Sequence, residues 1–449
     1  MRRVFIANRG EIALRAVRAC RLLGLQSVAV HSTADANSPH VWAADHAVCI
    51  GPPPSDASYL CAAALINAAV LLQCDAIYPG YGFLSENSEF AAQCRSADLT
   101  FIGPSEEVIA SMGDKAAARR MAAAHGLPVA PGSERSFTDA AEAAVVAHQV
   151  GFPLLLKASG GGGGRGIRIV EEANRFAPLF EQASAEAGAA FGQPEIYLER
   201  FFPEVHHIEV QVFGDSRGNY AHLWERDCSV QRRHQKLLEE APSPVLDEAT
   251  RSAITDAALA LARALHYENA GTVEFIYDPS TGKFFFIEMN TRIQVEHPVT
   301  EMLTGTDLVC EQIRVAAREP LSFRQVPPHS GCAIEMRINA EDADCGFRPS
   351  PGTLERWRPP KGRNIRIDTH AYEGYVVPPY YDSMLAKLIV SGADRSAAIA
   401  TARTALSCFS VAGVATTIPF HQRMLQRPEF ARGEVHTSWV DQQQQPMAA

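Results

Sequence analysis

A nine-residue segment in the second half of the chain, residues 288–296, alternates between polar or ionisable side chains and mostly apolar ones. Its polar positions are Glu288, Asn290, Arg292, Gln294 and Glu296. Successive side chains of an extended chain point to opposite sides, so one side of such a strand would be entirely polar and ionisable. A half-buried edge strand with a solvated face would show the same alternation.

A second carboxylate is predicted to face this segment across a hairpin. Residues 271–277 and the nearly continuous apolar run 283–287 are separated by turn-forming residues. We expect the second run to be buried on both faces, with Glu274 opposite or nearly opposite Glu288. Two poorly hydrated carboxylates repel each other unless a divalent cation lies between them. With the amide oxygen of Asn290 they suit Mg²⁺ or Mn²⁺, whereas a solvated pair would need no ion.

A glycine-rich loop suggests a phosphate-binding site. Six of the eight residues from 159 to 166 are glycine, and exposed amides of such a loop can wrap phosphate oxygens, while Lys157 and Arg165 add positive charge. The loop joins two predicted strands, so it is not the P-loop of Walker-type nucleoside triphosphatases. A flexible linker is the alternative, but linkers rarely lie inside a hairpin. The glycine content favours a mobile lid over a nucleotide.

Other charged residues also suggest anion binding. Lys115 opens a predicted helix, where a positive charge opposes the helix dipole, so we expect it to meet an anion. The basic cluster 228–236 lacks interleaved aromatic residues, which favours a small-anion pocket over an RNA-binding surface. His206 and His207 are neighbours in a predicted strand, so at most one of them points into any site. The strand 196–201 is a candidate for contacts to an adenine edge.

Composition excludes several classes of protein. A chain of 449 residues can form two or three domains, and 47% hydrophobic with 20% charged residues is typical of soluble globular proteins. The net charge of −10 disfavours broad nucleic-acid binding. The sequence shows neither a membrane-spanning run nor a signal peptide, so we expect a cytoplasmic protein. The ten cysteines form no CxxC pair, which favours reduced, buried thiols.

The order of helix and strand signals predicts mixed α/β and α+β domains. Residues 1–112 alternate the two signals, as in a doubly wound domain with a parallel sheet, and lack a GxGxxG fingerprint. The loop 79–87 follows a strand end, the usual ligand position in such sheets, although a plain tight turn fits it equally well. Beyond residue 328 strands and turns dominate, and a final helix is predicted at 396–406. We expect the polar tail 442–449 to be disordered.

These parts together predict an ATP-dependent ligase that acts on a carboxylate-like acceptor. The lid would cover a nucleoside triphosphate, with Lys115 and His207 near its phosphates. Glu274 and Glu288 would hold Mg²⁺. Phosphoryl transfer to an oxyanion needs these features together with a cationic pocket for the acceptor.

The acceptor pocket is predicted downstream of the metal site. Lys236, Arg292 and the Val295 amide would surround a second small anion, and Glu296 lies close enough to serve as its base. A carboxylate flanked by Arg292 stays ionised at neutral pH and can accept a proton. The product would be an acyl phosphate, which a nucleophile held near Arg337 would consume.

Along nearly its full length the sequence resembles the biotin carboxylase family of the ATP-grasp superfamily. The matching stretches are residues 6–13, 79–87, 113–115, 157–166, 225–236, 239–242, 286–300, 337–342 and 378–384. Within them, residues 231–236 and 288–298 are the most specific, because they separate this family from other ATP-grasp ligases.

The resemblance implies three domains. They are an N-terminal pre-ATP-grasp domain over 1–112, an ATP-grasp domain over 113–327 with a lid at about 130–202, and a C-terminal biotin carboxylase domain over 328–441. It also implies a reaction. MgATP phosphorylates bicarbonate to carboxyphosphate, which breaks down to CO₂ and phosphate, and the biotin N1′ attacks the CO₂.

Roles for individual residues follow from the resemblance, position by position. Glu296 would deprotonate bicarbonate, and Arg337 would stabilise the biotin enolate. The implied bicarbonate-binding residues are Lys236, Arg292, Gln294, Val295 and Glu296. The implied nucleotide-binding residues are Lys115, Lys157, Gly162, Gly163, Gly164, Glu199, His207, Gln231 and His234. The implied metal ligands are Glu274, Glu288 and Asn290, and the implied biotin-binding residues are Tyr81, Gly82 and Arg337.

The resemblance also implies partners. The sequence has no Met-Lys-Met biotin-attachment site and ends after the C-terminal domain, so we expect a separate subunit that acts on a biotin carboxyl carrier protein. A carboxyltransferase subunit would complete an acetyl-CoA or acyl-CoA carboxylase, such as that of fatty acid biosynthesis. A homodimer is expected, without nucleic-acid or membrane partners.

Two other functions stay open at this point. One is a different ATP-grasp ligase, such as a carbamoyl-phosphate or purine-pathway enzyme, whose acceptor pocket would differ around residues 292–296 and Arg337. The other is a non-catalytic nucleotide-binding subunit that regulates a partner. The Glu274 and Glu288 pair and the base Glu296 argue against it, because a binding protein has no use for a base.

Overall fold

The structure is a computed structural model that describes residues 1–159, 166–323 and 326–444. Among the helices it describes, none combines the length and the apolar character that a membrane crossing requires. The glycine-rich loop, including Gly162, Gly163 and Gly164, lies outside the described residues apart from Ser159 and Gly166.

The first part of the chain is a parallel sheet covered by helices, as predicted. Its strands are β1 (Arg3–Ile6), β2 (Gln26–Ser32), β3 (His46–Gly51), β4 (Ala76–Tyr78) and β5 (Thr100–Phe101). Its helices are α1 (Gly10–Leu22), α2 (Pro39–Ala43), α3 (Ala62–Leu71), α4 (Ser88–Ser96) and α5 (Glu106–Gly113). The strand order is β3-β2-β1-β4-β5. Side chains of β1 enter two separate apolar cores, one on each face of the sheet, which explains its continuous apolar sequence.

A small antiparallel sheet with two helices forms the predicted lid region. It contains α7 (Ala140–Val150), β6 (Leu154–Ala158), β7 (Ile167–Val170), α8 (Phe176–Phe191) and β8 (Ile196–Arg200), and it follows α6 (Lys115–Ala124). The strand order is β7-β6-β8. The lid has its own apolar core, which includes Phe176 and Phe180, so it can keep its internal structure if it moves.

The next elements build most of a large antiparallel sheet. They are β9 (His206–Gly214), β10 (Tyr220–Arg232), β11 (Gln235–Ala241), α9 (Glu248–Ala264), β12 (Asn269–Asp278), β13 (Lys283–Asn290), α10 (His297–Thr304) and α11 (Leu308–Ala316).

The last part of the chain contributes small strands, four helices and the rest of that sheet. Its strands are β14 (Cys332–Asn339), β15 (Glu341–Asp342), β16 (Arg348–Pro349), β17 (Gly352–Thr353), β18 (Arg356–Arg358), β19 (Ile365–Thr369), β20 (Val376–Val377), β21 (Met384–Gly392) and β22 (Ser410–Ala412). Its helices are α12 (Arg395–Cys408), α13 (Ile418–Met424), α14 (Pro428–Arg432) and α15 (Trp439–Gln444). Four short 3₁₀ turns complete the described structure, at Thr33–Asp35, Ser55–Ala57, Ala173–Arg175 and Ala343–Cys345.

The large sheet is continuous across the two later parts of the chain. Its eight strands follow the order β13-β12-β9-β10-β11-β14-β21-β19. β11 pairs with β14, so that Glu239 lies opposite Glu335. The sequence predicted a separate α+β domain here and gave no sign of this pairing. Its consequence is that Lys236 on β11 and Arg337 on β14 lie on neighbouring strands.

The predicted hairpin is confirmed, but the segment that follows it is not extended. β12 and β13 pair antiparallel with Glu274 opposite Glu288. β13 ends at Asn290, so the prediction of one polar strand face through Glu296 is wrong beyond that point. The prediction that residues 283–287 are buried on both faces is also wrong, because β13 is an edge strand and only Phe286 among these residues is buried.

The C-terminus also differs from the prediction. The helix predicted at 396–406 is α12, but three further helices follow it. Residues 442–444, which we expected to be disordered, belong to α15. Trp439 and Val440 of this helix are buried in the C-terminal core, and that burial anchors the glutamines that follow. Residues 445–449 lie outside the described part of the chain.

Candidate active site

Three buried carboxylates surround the ammonium group of Lys236. Its Nζ lies 2.6 Å from Oε2 of Glu209, 3.0 Å from Oε1 of Glu274 and 2.7 Å from Oε1 of Glu296. These carboxylates come from β9, from β12 and from the residue before α10. Burial lowers the pKa of the Lys236 ammonium, but the three carboxylates more than offset this, so its pKa lies well above the usual range. Lys236 therefore carries a fixed positive charge at the centre of the cluster.

Glu296 is fully buried and lies between two cations. Besides Lys236, it accepts a hydrogen bond at Oε2 from Nη2 of Arg337, at 3.0 Å. Burial raises the pKa of this carboxyl, but Lys236 and Arg337 outweigh it and hold the pKa well below the ordinary value. Arg292, which we expected to keep Glu296 ionised, does interact with its charge, but it is not a direct ion-pair partner of Glu296. Arg292 instead pairs with Glu86 at 2.8 Å.

The segment after β13 folds back over Glu274. Arg292 donates from Nη2 to Oδ1 of Asn290 at 3.0 Å and from Nη1 to Oε1 of Gln294 at 2.7 Å. The amide groups of Asn290 and Gln294 donate in turn to Oε1 of Glu274, at 2.9 Å and 3.1 Å. The irregular chain path thus brings together residues that a straight strand would have spread along its length.

Arg337 connects Glu296 to a further buried carboxyl group. Its Nε donates to Oε1 of Glu239 at 2.6 Å. Burial raises the pKa of Glu239 to about 7, although the charge of Arg337 acts in the opposite direction. The guanidinium of Arg337 is thus held by two acids, one ionised and one that titrates near neutral pH.

A cavity of about 330 Å³ opens between the lid and the large sheet, lined by residues of α6, β6, β8 and β13. Its volume is within the range of small-molecule sites. On its walls, Nζ of Lys157 lies 2.5 Å from Oε1 of Glu199, and Nζ of Lys115 lies 3.2 Å from Oε2 of Glu288. These two lysines are the cations that we expected near nucleotide phosphates.

Three further residues predicted to bind nucleotide, His207, Gln231 and His234, do not line this cavity. His207 approaches Glu274, with Nε2 and Oε2 3.1 Å apart, whereas His206 lies beside Asp227. The two histidines therefore diverge, as predicted. Gln231 is buried near the end of β10. His234 follows it in the β10–β11 turn with a φ of 64°, and burial lowers the pKa of its imidazole.

The predicted metal ligands offer a suitable set of donors. Glu274 and Glu288 face each other across the hairpin, and Asn290 lies beside Glu274. Ligand atoms of His207, Glu209 and Glu274 also lie within 4.8 Å of one another. Glu288 has only Lys115 as an ion-pair partner among the described residues. Carboxylate oxygens with an amide oxygen fit a hard cation such as Mg²⁺.

The predicted biotin-binding residues lie at the N-terminal side of the cluster. The Tyr81 hydroxyl donates to Glu11 on α1, and Gly82 is exposed with a φ of 70°. Burial raises the pKa of Tyr81 well above its usual range; Glu11 raises it further, whereas the charge of Arg337 acts in the opposite direction. The tyrosine is thus close enough to Arg337 to sense its charge.

Sequence reasoning missed several residues of this cluster. Three of them form ion pairs with predicted site residues: Glu209 with Lys236, Glu239 with Arg337 and Glu86 with Arg292. The fourth, Arg226, forms an ion pair with Glu209. Glu209 comes two residues after His207 in an alternating strand, so the period of two could have placed both side chains on the same face. Glu239 had no such signal, because its role depends on the pairing of β11 with β14.

Comparison with known proteins agrees with this architecture. Residues 1–109 match the family "Biotin carboxylase, N-terminal domain", residues 114–324 match "Carbamoyl-phosphate synthase L chain, ATP binding domain", and residues 335–442 match "Biotin carboxylase C-terminal domain". Biotin carboxylase of Nostoc is 51% identical over 441 residues, covering 98% of each chain.

Two solved structures are also similar along the whole chain. A nucleotide complex of Campylobacter jejuni biotin carboxylase has a TM-score of 0.96 at 45% identity, covering 98% of each chain. The biotin carboxylase domain dimer of Hydrogenobacter thermophilus 2-oxoglutarate carboxylase, with MgADP, ADP and bicarbonate, has a TM-score of 0.95 at 46% identity, covering 98% of this chain and 97% of that one. By its sequence, its three-part architecture and its full-length likeness to these proteins, the chain belongs to the biotin carboxylase family.

Proposed function

We propose that this protein uses ATP to activate bicarbonate and carboxylates biotin on a separate carrier protein. The observation that carries the proposal is the state of Glu296, a fully buried carboxylate whose pKa is held well below the ordinary value by Lys236 and Arg337. An ionised base beside a cationic pocket and a nucleotide-sized cavity is what the deprotonation and phosphorylation of bicarbonate require.

ATP would occupy the cavity between the lid and the large sheet. Lys115 and Lys157 would turn from Glu288 and Glu199 towards its phosphates, and His207, Gln231 and His234 would complete the nucleotide site. Glu274, Glu288 and Asn290 would hold Mg²⁺ or Mn²⁺, which supplies positive charge to the transferred phosphoryl group.

Bicarbonate would bind on the other side of Glu274. Lys236, Arg292, Gln294 and the Val295 amide would hold its oxygens, and Glu296 would accept its proton. A bicarbonate oxygen then attacks the γ-phosphorus as the bond to ADP breaks, which gives carboxyphosphate. Carboxyphosphate breaks down to CO₂ and phosphate inside the pocket.

Biotin would enter beside Tyr81 and Gly82. The phosphate released from carboxyphosphate would accept the N1′ proton, N1′ would attack the CO₂, and Arg337 would stabilise the negative charge on the ureido oxygen. Because Arg337 also contacts Glu296, the two half-sites meet at one guanidinium. Reactive CO₂ would therefore form within reach of its acceptor.

The partners follow from the family. We propose a biotin carboxyl carrier protein and a carboxyltransferase subunit as partners, and a homodimer as the assembled form, since the related Hydrogenobacter domain forms a dimer. The final acceptor of the carboxyl group would be chosen by the transferase, because the proposed site contacts only ATP, bicarbonate and biotin. We also propose the domain limits given above, with the ATP-grasp domain over 113–327 and its lid at about 130–202.

Isotope transfer tests the proposal directly. The purified chain is incubated with MgATP and ¹⁸O-labelled bicarbonate, and the phosphate released is analysed by mass spectrometry. Attack by bicarbonate oxygen predicts one ¹⁸O in the phosphate for each ATP consumed. Phosphate without label would show that water or another acceptor takes the phosphoryl group, and would exclude bicarbonate activation.

A further inference from the structure

Lys387 is a completely buried lysine at a point where all three parts of the chain meet. It belongs to β21 and has no exposed surface. Its Nζ lies 3.0 Å from Oε1 of Glu11 on α1 and donates to the carbonyl oxygen of Val295 at 3.0 Å. One ammonium group thus joins the C-terminal part to the N-terminal helix and to the segment before α10.

Each of these contacts leads towards a different proposed substrate. Glu11 also accepts the hydroxyl of Tyr81, whose ring centroid lies 5.9 Å from the Lys387 Nζ. The Val295 carbonyl belongs to the peptide bond that carries Glu296. The lysine is therefore in contact with the biotin side through Glu11 and with the bicarbonate side through Val295.

A buried ammonium is costly unless it is paired, so its presence calls for a reason. Pairing with Glu11 balances one charge, and the carboxylate of Asp368, opposite the lysine on β19, also favours the ammonium. Glu335 on the adjacent strand β14 lies close by, but burial raises the pKa of its carboxyl well above the ordinary value. Both Glu335 oxygens lack a hydrogen-bond partner among the described residues. The Val295 carbonyl accepts one of the three N–H donors of the ammonium, which ties the buried charge to the segment that carries Glu296.

We propose that Lys387 is a positioning residue that fixes Tyr81 and the Val295–Glu296 peptide relative to each other. It would hold the biotin ring and bicarbonate in one relative geometry without touching either substrate. The inference rests on the proposed function, because it concerns the substrates of that site. Small displacements of reacting groups cost large factors in rate, so the loss of this contact should appear in the kinetics of both substrates.

The test compares Lys387→Met, Glu11→Gln and the double variant Lys387→Met/Glu11→Gln with the wild type. Removing the lysine alone leaves Glu11 as an unpaired buried carboxylate, which is destabilising, whereas the double variant leaves no such charge. Arg395→Met is the matched control. Arg395 is a largely buried cation that pairs with Glu240 and has no role in the proposed substrate sites. Melting temperature and KM values for ATP, bicarbonate and free biotin are measured for each variant.

We expect the double variant to recover the melting temperature lost in Lys387→Met but not the kinetics. Its KM for bicarbonate and for biotin should stay at least about tenfold raised, while its KM for ATP stays within about twofold of the wild type. Arg395→Met should lower the melting temperature and leave all three KM values unchanged.

Recovery of both stability and KM values in the double variant would overturn the inference, because the lysine would then serve stability alone. A wild-type chain that hydrolyses ATP without need of bicarbonate would instead overturn the proposed function. The bicarbonate dependence of the wild type is measured before any variant is made. A failure of the proposed function can therefore be distinguished from a failure of the inference on Lys387.

Discussion

Arg337 and Glu296 form an ion pair with Nη2 and Oε2 3.0 Å apart, although they lie 41 positions apart in the sequence. Glu296 ends the irregular segment after β13, and Arg337 belongs to β14. The pair exists because the large sheet continues from β11 into β14. The group proposed to activate bicarbonate and the group proposed to activate biotin are therefore coupled by a direct contact.

This pair predicts an unequal effect of removing Arg337. In Arg337→Met we expect the biotin-stimulated rate of ATP hydrolysis to fall by about two orders of magnitude, because the group that stabilises the charge on biotin is lost. Bicarbonate-dependent hydrolysis without biotin should fall less, because Lys236 still holds Glu296. The two rates are measured by phosphate release with and without free biotin. An equal loss of both would contradict a specific role towards biotin.

Lys236 should dominate the stability of the cluster. Replacing it with Met leaves three buried carboxylates without their shared counter-ion, and we expect a loss of roughly 3–5 kcal/mol in the free energy of unfolding near neutral pH. Denaturant titration measures this value. Lys283→Met, at an exposed lysine, is the control and should change it by less than about 0.5 kcal/mol.

The same variant should show a distinctive pH dependence. In the wild type, Glu274 and Glu296 have pKa values below the ordinary 4.5. Their contribution to stability is therefore complete above that pH and is lost as the pH falls through the lowered values. Without Lys236 the pKa values of these two carboxyls rise, so they take up protons more readily in the folded variant as the pH falls. The difference in free energy of unfolding between the wild type and Lys236→Met should therefore shrink as the pH is lowered from about 7 to 5. A difference that is constant over this range would contradict the assigned charges.

Glu288 should set the requirement for divalent cation. In Glu288→Gln we expect the Mg²⁺ concentration for half-maximal ATP hydrolysis to rise at least about tenfold, because a carboxylate ligand is lost. Glu172→Gln, at an exposed position, is the control. Unchanged Mg²⁺ dependence in the Glu288 variant would remove this residue from the metal site.

The C-terminal helix should influence nucleotide affinity. The side chain of Asp441 accepts the backbone N–H of Arg233 at 3.1 Å, in a turn where Arg233 and His234 have φ values of 48° and 64°. Loss of one such bond in Asp441→Ala should raise the KM for ATP by about two- to tenfold. The KM for bicarbonate should not change, and Gln442→Ala should alter neither. An unchanged KM for ATP would mean that α15 does not support His234.

The sequence predicted the parts of the site that depend on local pattern. The hairpin register that pairs Glu274 with Glu288 followed from apolar runs and a turn. The divergence of His206 and His207 followed from strand periodicity. The final helix predicted at 396–406 also lies within two residues of the bounds of α12. Each of these features is encoded within about twenty neighbouring residues.

Features that depend on distant residues were not predictable in this way. The partner of Arg292 is Glu86, 206 positions away, and no spacing rule connects them. Glu239 and Glu335 meet only because β11 pairs with β14. The irregular path of residues 291–296 overrides an alternation that reads as a strand, since Thr291 is held through its backbone N–H by Glu86. The assigned roles of individual residues remain predictions that the variants above would test.

The most direct measurement is ATP hydrolysis by the wild type and by Glu296→Gln, each with and without bicarbonate and free biotin. Glu225→Gln, at a buried glutamate paired with Arg251, is the matched control. We expect wild-type hydrolysis to require bicarbonate and to rise with biotin. Glu296→Gln should lose at least about a hundredfold of this activity while still binding MgATP. Hydrolysis that is independent of bicarbonate, or an unimpaired Glu296→Gln, would contradict the central role of this carboxylate.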